Sequence, residues 1–215
     1  MSREVERYLK QQYRRVPVDQ TEKILDGIQK FMELARQPGL SAHDVIHEGA
    51  MAIYRFFPFR EISIGLKSPV DGRYRYQEIL GHSTVATEAL KKLSYSYEEF
   101  FSQRDYPAFW LSRYTEVALL EEQPFLESEK DTYNRPTQLS EARKSIDDFV
   151  EGDYIDVYMF GPKDEMIGWV EMSATKNGKM PSAFVIKQLE AFILIISHVY
   201  LLTMAGKNEG EGKER

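Results

Sequence analysis

The sequence predicts an α+β domain in which an antiparallel sheet carries its helices on one face. Two hairpins, two helices ahead of the first of them and one long apolar helix behind the second point to this class. Strands joined by tight turns pair antiparallel, and helices before and after them must cover a sheet face to bury their own apolar stripes. No internal repeat at a fixed period suggests a solenoid.

The elements follow in order. In residues 1–16, Val5, Leu9, Tyr13 and Val16 recur near helical spacing among Arg and Lys, and Pro17 interrupts the pattern. This reads as a short amphipathic helix, residues 1–18, outside the main domain. Asp19 caps a second helix over 21–37, in which Ile24, Leu25, Ile28, Phe31, Met32 and Ala35 return every three or four residues before Pro38 and Gly39 end it. Ser41 caps a third over 42–57, with Val45, Ile46, Ala50, Ile53 and Tyr54 on its apolar side. From Glu61 the period shortens toward two, which makes residues 61–68 and 73–82 a hairpin about the turn-forming segment 69–72. A helical stretch over 84–102 and a strand over 114–120 come next. Residues 121–137 are acidic, contain Pro124, Asn134 and Pro136, and form a loop of the length that lids have. Ser140 caps a short helix to Phe149, residues 153–160 and 166–173 make the second hairpin, and a helix over 182–204 closes the domain at residue 205. The polar, glycine-rich residues 206–215 are expected to be disordered.

Apolar residues at 42% and charged residues at 29% are the balance of a folded globular chain. A formal charge of -6 opposes general affinity for polyanions, so nucleic acid is not an expected partner. The five basic residues Arg3, Lys10, Arg7, Arg14 and Arg15 read as a solvated helix face. The absence of cysteine removes disulfides, thiolate nucleophiles, Cys-ligated zinc, iron–sulfur clusters and thioether-linked chromophores together. No apolar run follows the charged start, as a secretory signal would require, and a cytoplasmic location is expected. The apolar run over 191–205 is shorter than the ~20 residues of a membrane span and contains His198. It is expected to be a buried core or interface helix, with no membrane partner.

The second hairpin and the last helix carry a family resemblance. Ile167, Gly168 and Val170 in the final strand, then Leu189, Glu190 and Phe192 in the helix, resemble the closing half of a GAF domain. The order of elements resembles that family over residues 19–204. The resemblance implies a central antiparallel sheet of five or six strands, helices on one face, and a pocket on the other under loops and short helices. It also implies a sensory or dimerising role, since GAF domains bind cyclic nucleotides, tetrapyrroles, haem or metabolites, or only dimerise. Members that reduce free methionine sulfoxide or attach bilins through cysteine need a residue this chain lacks. The Asn-Lys, Phe and Asp-Glu pattern of cyclic-nucleotide-binding members is also missing. Neither ligand nor cofactor is named by the sequence.

Candidate ligand contacts are the polar and aromatic residues Arg75, Tyr76, His82, Trp110, Arg113, Tyr114, Arg135, Tyr158 and Trp169, to which Tyr133 and Asn134 are neighbours. Pockets combine apolar walls with a few convergent polar groups, and Arg beside an aromatic ring suits an anion or a planar ligand. In the GAF reading the strand from Arg113 and the loop holding Arg135 form pocket walls. His43 and His47 stand one helical turn apart, yet no third ligand accompanies them, so no metal site is expected. No nucleophile elbow or phosphate loop is present, and no catalytic residue is assigned. The sequence therefore suggests a sensory module that binds a small molecule, dimerises through its terminal helices and signals through an output partner protein. A ligand-free dimerisation scaffold and a carboxylate-based enzyme are the alternatives.

Overall fold

A computed structural model describes residues 19–122 and 126–211. The amphipathic helix expected over 1–18 and the last four residues of the expected tail lie outside that range. Helix α1 (Gln20–Ala35) starts where expected, the Asp19 carboxylate accepting the Glu22 amide at 2.9 Å. Helix α2 (Ala42–Phe56) begins with a reciprocal cap: Ser41 Oγ accepts the Asp44 amide at 3.1 Å, and Asp44 accepts the Ser41 amide at 2.9 Å. Each such cap satisfies amides that the first helical turn leaves without partners.

Six strands form one antiparallel sheet in the order β2-β1-β6-β5-β4-β3. They are β1 (Phe59–Lys67), β2 (Tyr74–Leu80), β3 (Phe109–Trp110), β4 (Thr115–Ala118), β5 (Tyr154–Phe160) and β6 (Met166–Thr175). Both expected hairpins are present, and the two halves of the sheet meet where β1 pairs with β6. Residues alternate across the sheet, so Ile62, Ile64, Ile155, Val157, Val170 and Met172 share one face. Helices α1, α2 and the long closing helix α5 (Ala183–Glu211) cover it through Ile24, Phe31, Val45, Ile53, Phe192, Ile193 and Ile196. Gly49 of α2 lets α5 approach closely: a Cβ there would come within 2.9 Å of Ile196. The opposite face holds a second, aromatic cluster centred on Tyr74, Tyr76, Tyr158 and Trp169.

Four local expectations are corrected. The helix over 84–102 is two short ones, α3 (Thr84–Leu90) and α4 (Tyr97–Phe100). Between them Tyr95 exchanges backbone hydrogen bonds with Tyr74 at 2.8 and 3.0 Å, and Arg73 holds the Ser94 hydroxyl at 2.6 Å, so an extended bridge replaces helix. The helix expected over 140–149 is absent. Its sequence is rich in Ser and Asp, whose side chains bond the local backbone: Asp148 accepts the Ser145 amide at 2.8 Å, and the chain turns instead. The loop expected over 121–137 holds one 3₁₀ turn, Glu127–Thr132, and runs into a second, Pro136–Ser140. Finally, α5 reaches Glu211 rather than Met204, with no proline before that point to stop it.

The stretch Ala183–Gly206 of α5 is long and apolar enough, by length and composition, to cross a membrane. In the fold one stripe of it is core: Leu189, Phe192, Ile193 and Ile196 are fully buried. Its principal neighbour is α2 rather than α1, which touches it where Phe31 meets Phe192 edge-on at 5.3 Å.

Candidate ligand site on the free face of the sheet

The aromatic face of the sheet is only partly filled by its own rings. Beside the cluster around Trp169 lies a cavity of about 80 Å³, floored by β1, β4, β5 and β6 and roofed by α3, α4 and the turn Glu127–Thr132. Its floor is set by register. Glu116 of β4 faces Asp156 of β5, and Asp156 faces Glu171 of β6, so three carboxylates stand in one row across adjacent strands. Directly opposed like charges destabilise a sheet, and burial makes this worse.

The outer two members have partners. The Tyr76 hydroxyl donates to Glu171 Oε2 at 2.8 Å, and the Tyr158 hydroxyl donates to Glu116. Asp156, 5% exposed, keeps Oδ1 without a hydrogen-bond partner among the described residues. Burial first, then the neighbouring Glu171 and Glu116, hold the Asp156 carboxyl well above the usual carboxylate range. Burial likewise pushes Glu171 up to about 7. His82 closes one side, its Nε2 3.2 Å from Ser63 Oγ and its Nδ1 unpartnered. Desolvation holds its imidazole down at about 4, so it is neutral at pH 7.

Two arginines neutralise carboxylates at the rim. Arg135 pairs with Glu151 at 2.6 Å and approaches Glu61 at 3.7 Å. Arg143 pairs with Asp153 at 2.8 Å and with Glu121 at 2.8 Å. Neither guanidinium lines the cavity, and among the described residues that line it none is Lys or Arg. Asn134 ties the roof down, accepting the Ser83 amide at 2.6 Å and donating to the Gly81 carbonyl at 3.2 Å.

Of the residues named from sequence, Tyr76, His82 and Tyr158 line this cavity, as do Tyr133 and Asn134, and Arg135 stands at its edge. The others lie elsewhere. Arg75 alternates away from Tyr74 and Tyr76 and pairs with Asp71 at 2.6 Å. Arg113 is exposed and pairs with Asp164 at 2.7 Å, while Tyr114 packs on Phe160 at 6.2 Å. Trp110 covers Tyr158 from outside with ring centres 5.1 Å apart, and Trp169 is wholly inside the aromatic cluster. No group of three His, Asp or Glu side chains among the described residues is placed to hold a metal ion. His47 instead meets Glu78 at 3.1 Å. The carboxylate row was missed: an acidic residue alternating within each of Thr115-Glu116-Val117, Ile155-Asp156-Val157 and Val170-Glu171-Met172 reads in sequence as an ordinary solvent-facing strand position.

No protein-family model and no curated protein matches the chain. Solved structures do. The GAF domain of an Acinetobacter phosphoenolpyruvate-protein phosphotransferase aligns with 86% of this chain and 97% of its own at 15% identity, with a TM-score of 0.51. The corresponding domain from Coxiella burnetii aligns with 90% and 99% at 10% identity and a TM-score of 0.51. The phycoerythrobilin-bound GAF domain of a cyanobacterial phytochrome covers 89% and 100% at 9% identity, with a TM-score of 0.56. On these alignments, and on a six-stranded antiparallel sheet with helices packed on its face, the chain has the fold of a GAF domain.

Proposed function

We propose that this protein is a regulatory module that binds a small molecule on the free face of its sheet and passes the event to its terminal helix. The observation that carries this reading is the buried Asp156 carboxyl at the floor of a cavity, whose Oδ1 has no hydrogen-bond partner among the described residues. A buried polar group without a partner costs free energy that a fold has no reason to retain for packing alone.

A route out of the cavity supports the regulatory part. On β4, Glu116 faces the cavity while Thr115 faces the helices and donates its hydroxyl to Glu190 of α5, as does Ser112. A ligand that moves β4 through Glu116 therefore moves the anchor of α5. The surface of α5 and α1 beyond the core includes Phe184, Leu194, Leu202 and Leu25, which suits a second copy of the chain related by a twofold axis. An output protein would read the resulting change.

A ligand-free dimerisation scaffold is the second reading, favoured by one observation. The cavity, at about 80 Å³, is well below the ~300–1,000 Å³ of ordinary ligand pockets. Native mass spectrometry of the purified chain separates the two. A small molecule retained in stoichiometric amount supports the sensor, and a bare dimer supports the scaffold.

A further inference from the structure

The charge balance of the cavity indicates which class of molecule it takes, an inference that rests on the ligand-binding reading above. Glu151 and Asp153 are neutralised from outside by Arg135 and Arg143, and Glu129 accepts the Tyr106 hydroxyl at 2.6 Å. The row Glu116, Asp156 and Glu171 has no cation near it among the described residues lining the cavity. Its outer members receive tyrosine hydroxyls and its middle member receives nothing at Oδ1. Burial and mutual repulsion already hold Asp156 and Glu171 toward their protonated forms; an anionic ligand would worsen the repulsion, whereas a cation would offset it. A metal ion would need converging ligands that the described residues do not provide.

We propose that the row is the receptor for a small alkylammonium group, which donates to the free Asp156 Oδ1 and to carboxyl oxygens beside it and whose short carbon chain lies against Tyr95, Phe100 and Tyr158. An ammonium carries three donors and no acceptor, the complement of a floor made of acceptors. Charge-assisted N–H bonds to carboxylate are among the strongest hydrogen bonds, and tyrosine faces add attraction for a desolvated cation. The size agrees: a cavity of ~150 Å³ accepts benzene, so about half that volume takes an ammonium with only a few carbons. A free monoamine and the end of a polyamine share this chemistry.

The test is calorimetric titration of the full chain, dialysed free of small molecules, with propylamine hydrochloride, putrescine and spermidine at constant ionic strength. The controls are 1-propanol and sodium propionate. One amine is expected to bind per chain at least tenfold more tightly than either control. Asp156→Asn, which keeps the shape but cannot ionise when a cation arrives, should lose at least tenfold in amine affinity, and Glu116→Gln should do the same independently. Arg113→Ala, on the outside, should stay within threefold of the parent. Tighter binding of spermidine than of propylamine assigns the site to a polyamine end, and the reverse assigns it to a free monoamine; both support the proposal. Absence of amine binding, or unchanged affinity in folded Asp156→Asn, overturns it. If native mass spectrometry then finds a retained neutral or anionic molecule, the regulatory module stands and only the amine assignment falls. If it finds the bare chain, both fall.

Discussion

Gly65 lies beneath the indole of Trp169. The two residues are register partners between β1 and β6, and a Cβ added at Gly65 would fall within the ring. The arrangement explains why a bulky, fully buried aromatic can lie flat on a sheet at its central junction. The pairing of β1 with β2 shifts register between Ile64 and Gly65, which lets the strand bend around the ring. Gly168, next along β6, is just as confined, since a Cβ there would meet the Gly65 carbonyl and come within 2.8 Å of Leu66. Gly65→Ala and Gly168→Val should each destabilise the domain by overpacking, by about 1–3 kcal/mol. Chemical denaturation of the two variants checks this, and a loss of only a few tenths would mean that β1 and β6 are not in this register.

His82 and Glu171 should give the protein two opposing pH dependences. The unfolded chain protonates His82 near 6.5, while the folded chain does so only at about 4, so between these values the unfolded state binds more protons. Stability from this residue is complete above pH 6.5 and is lost as pH falls. Glu171 behaves in the opposite sense. It ionises near 4.5 unfolded and about 7 folded, so the folded state holds the extra proton and stability is lost as pH rises through that window. At pH 5.5, relative to the parent, Glu171→Gln should make the slope of stability against pH more positive, and His82→Gln should make it more negative. Each difference should approach ~1.4 kcal/mol per pH unit. Urea melts at half-unit intervals from pH 4.5 to 6.5 measure both. Equal slopes in all three proteins would mean that neither group is desolvated as described.

Most of the fold was legible because its elements announce themselves locally. Asp19 and Ser41 cap the helices they were expected to cap, and the hairpins alternate as their strands do. The breaks were less legible because tertiary partners make them: Tyr95 leaves the helix to pair with Tyr74, twenty-one positions earlier. The two-residue β3 is too short for any periodicity and exists only because β4 is there to pair with it. At the site, attention to arginine and aromatic rings found Tyr76, His82 and Tyr158 but passed over the floor. Each acidic residue of the floor looks ordinary within its own strand. Only the register of three strands turns Glu116, Asp156 and Glu171 into neighbours.

Arg143 should be a structural rather than a ligand-binding arginine. It pairs with the buried Asp153, which in turn accepts the amides of Leu120 at 3.0 Å and Val150 at 2.9 Å, joining the end of β4 to the start of β5. Arg143→Met keeps the length of the side chain and leaves Asp153 buried without its counter-charge. Breaking a buried pair in this way costs about 3–5 kcal/mol, whereas removing both charges costs less. Arg143→Met should therefore lower the unfolding free energy by an amount of that order, and adding Asp153→Asn should restore part of it. A double variant less stable than the single one by the full additive sum would show that the pair is not coupled.

The apolar surface left on α5 predicts the oligomeric state. One stripe of the helix is spent on the core, yet Leu194 is 39% exposed and Leu202 is 60% exposed, and Leu25 on α1 is 58% exposed. An uncovered surface of this kind on a soluble monomer would attract other copies indiscriminately, and twofold pairing of the helices closes it with the commonest symmetry. Residues 1–16, amphipathic by sequence, offer a competing cover within one chain. Equilibrium sedimentation at micromolar concentration distinguishes the two. The full chain is expected to be a dimer, and Leu194→Glu with Leu202→Glu should convert it to a folded monomer, because both positions lie off the buried stripe. A full chain that is monomeric, and that dimerises only once residues 1–16 are removed, would instead assign the cover to the N-terminal segment. A monomer in both forms would mean that the exposed leucines are not an interface between copies at all.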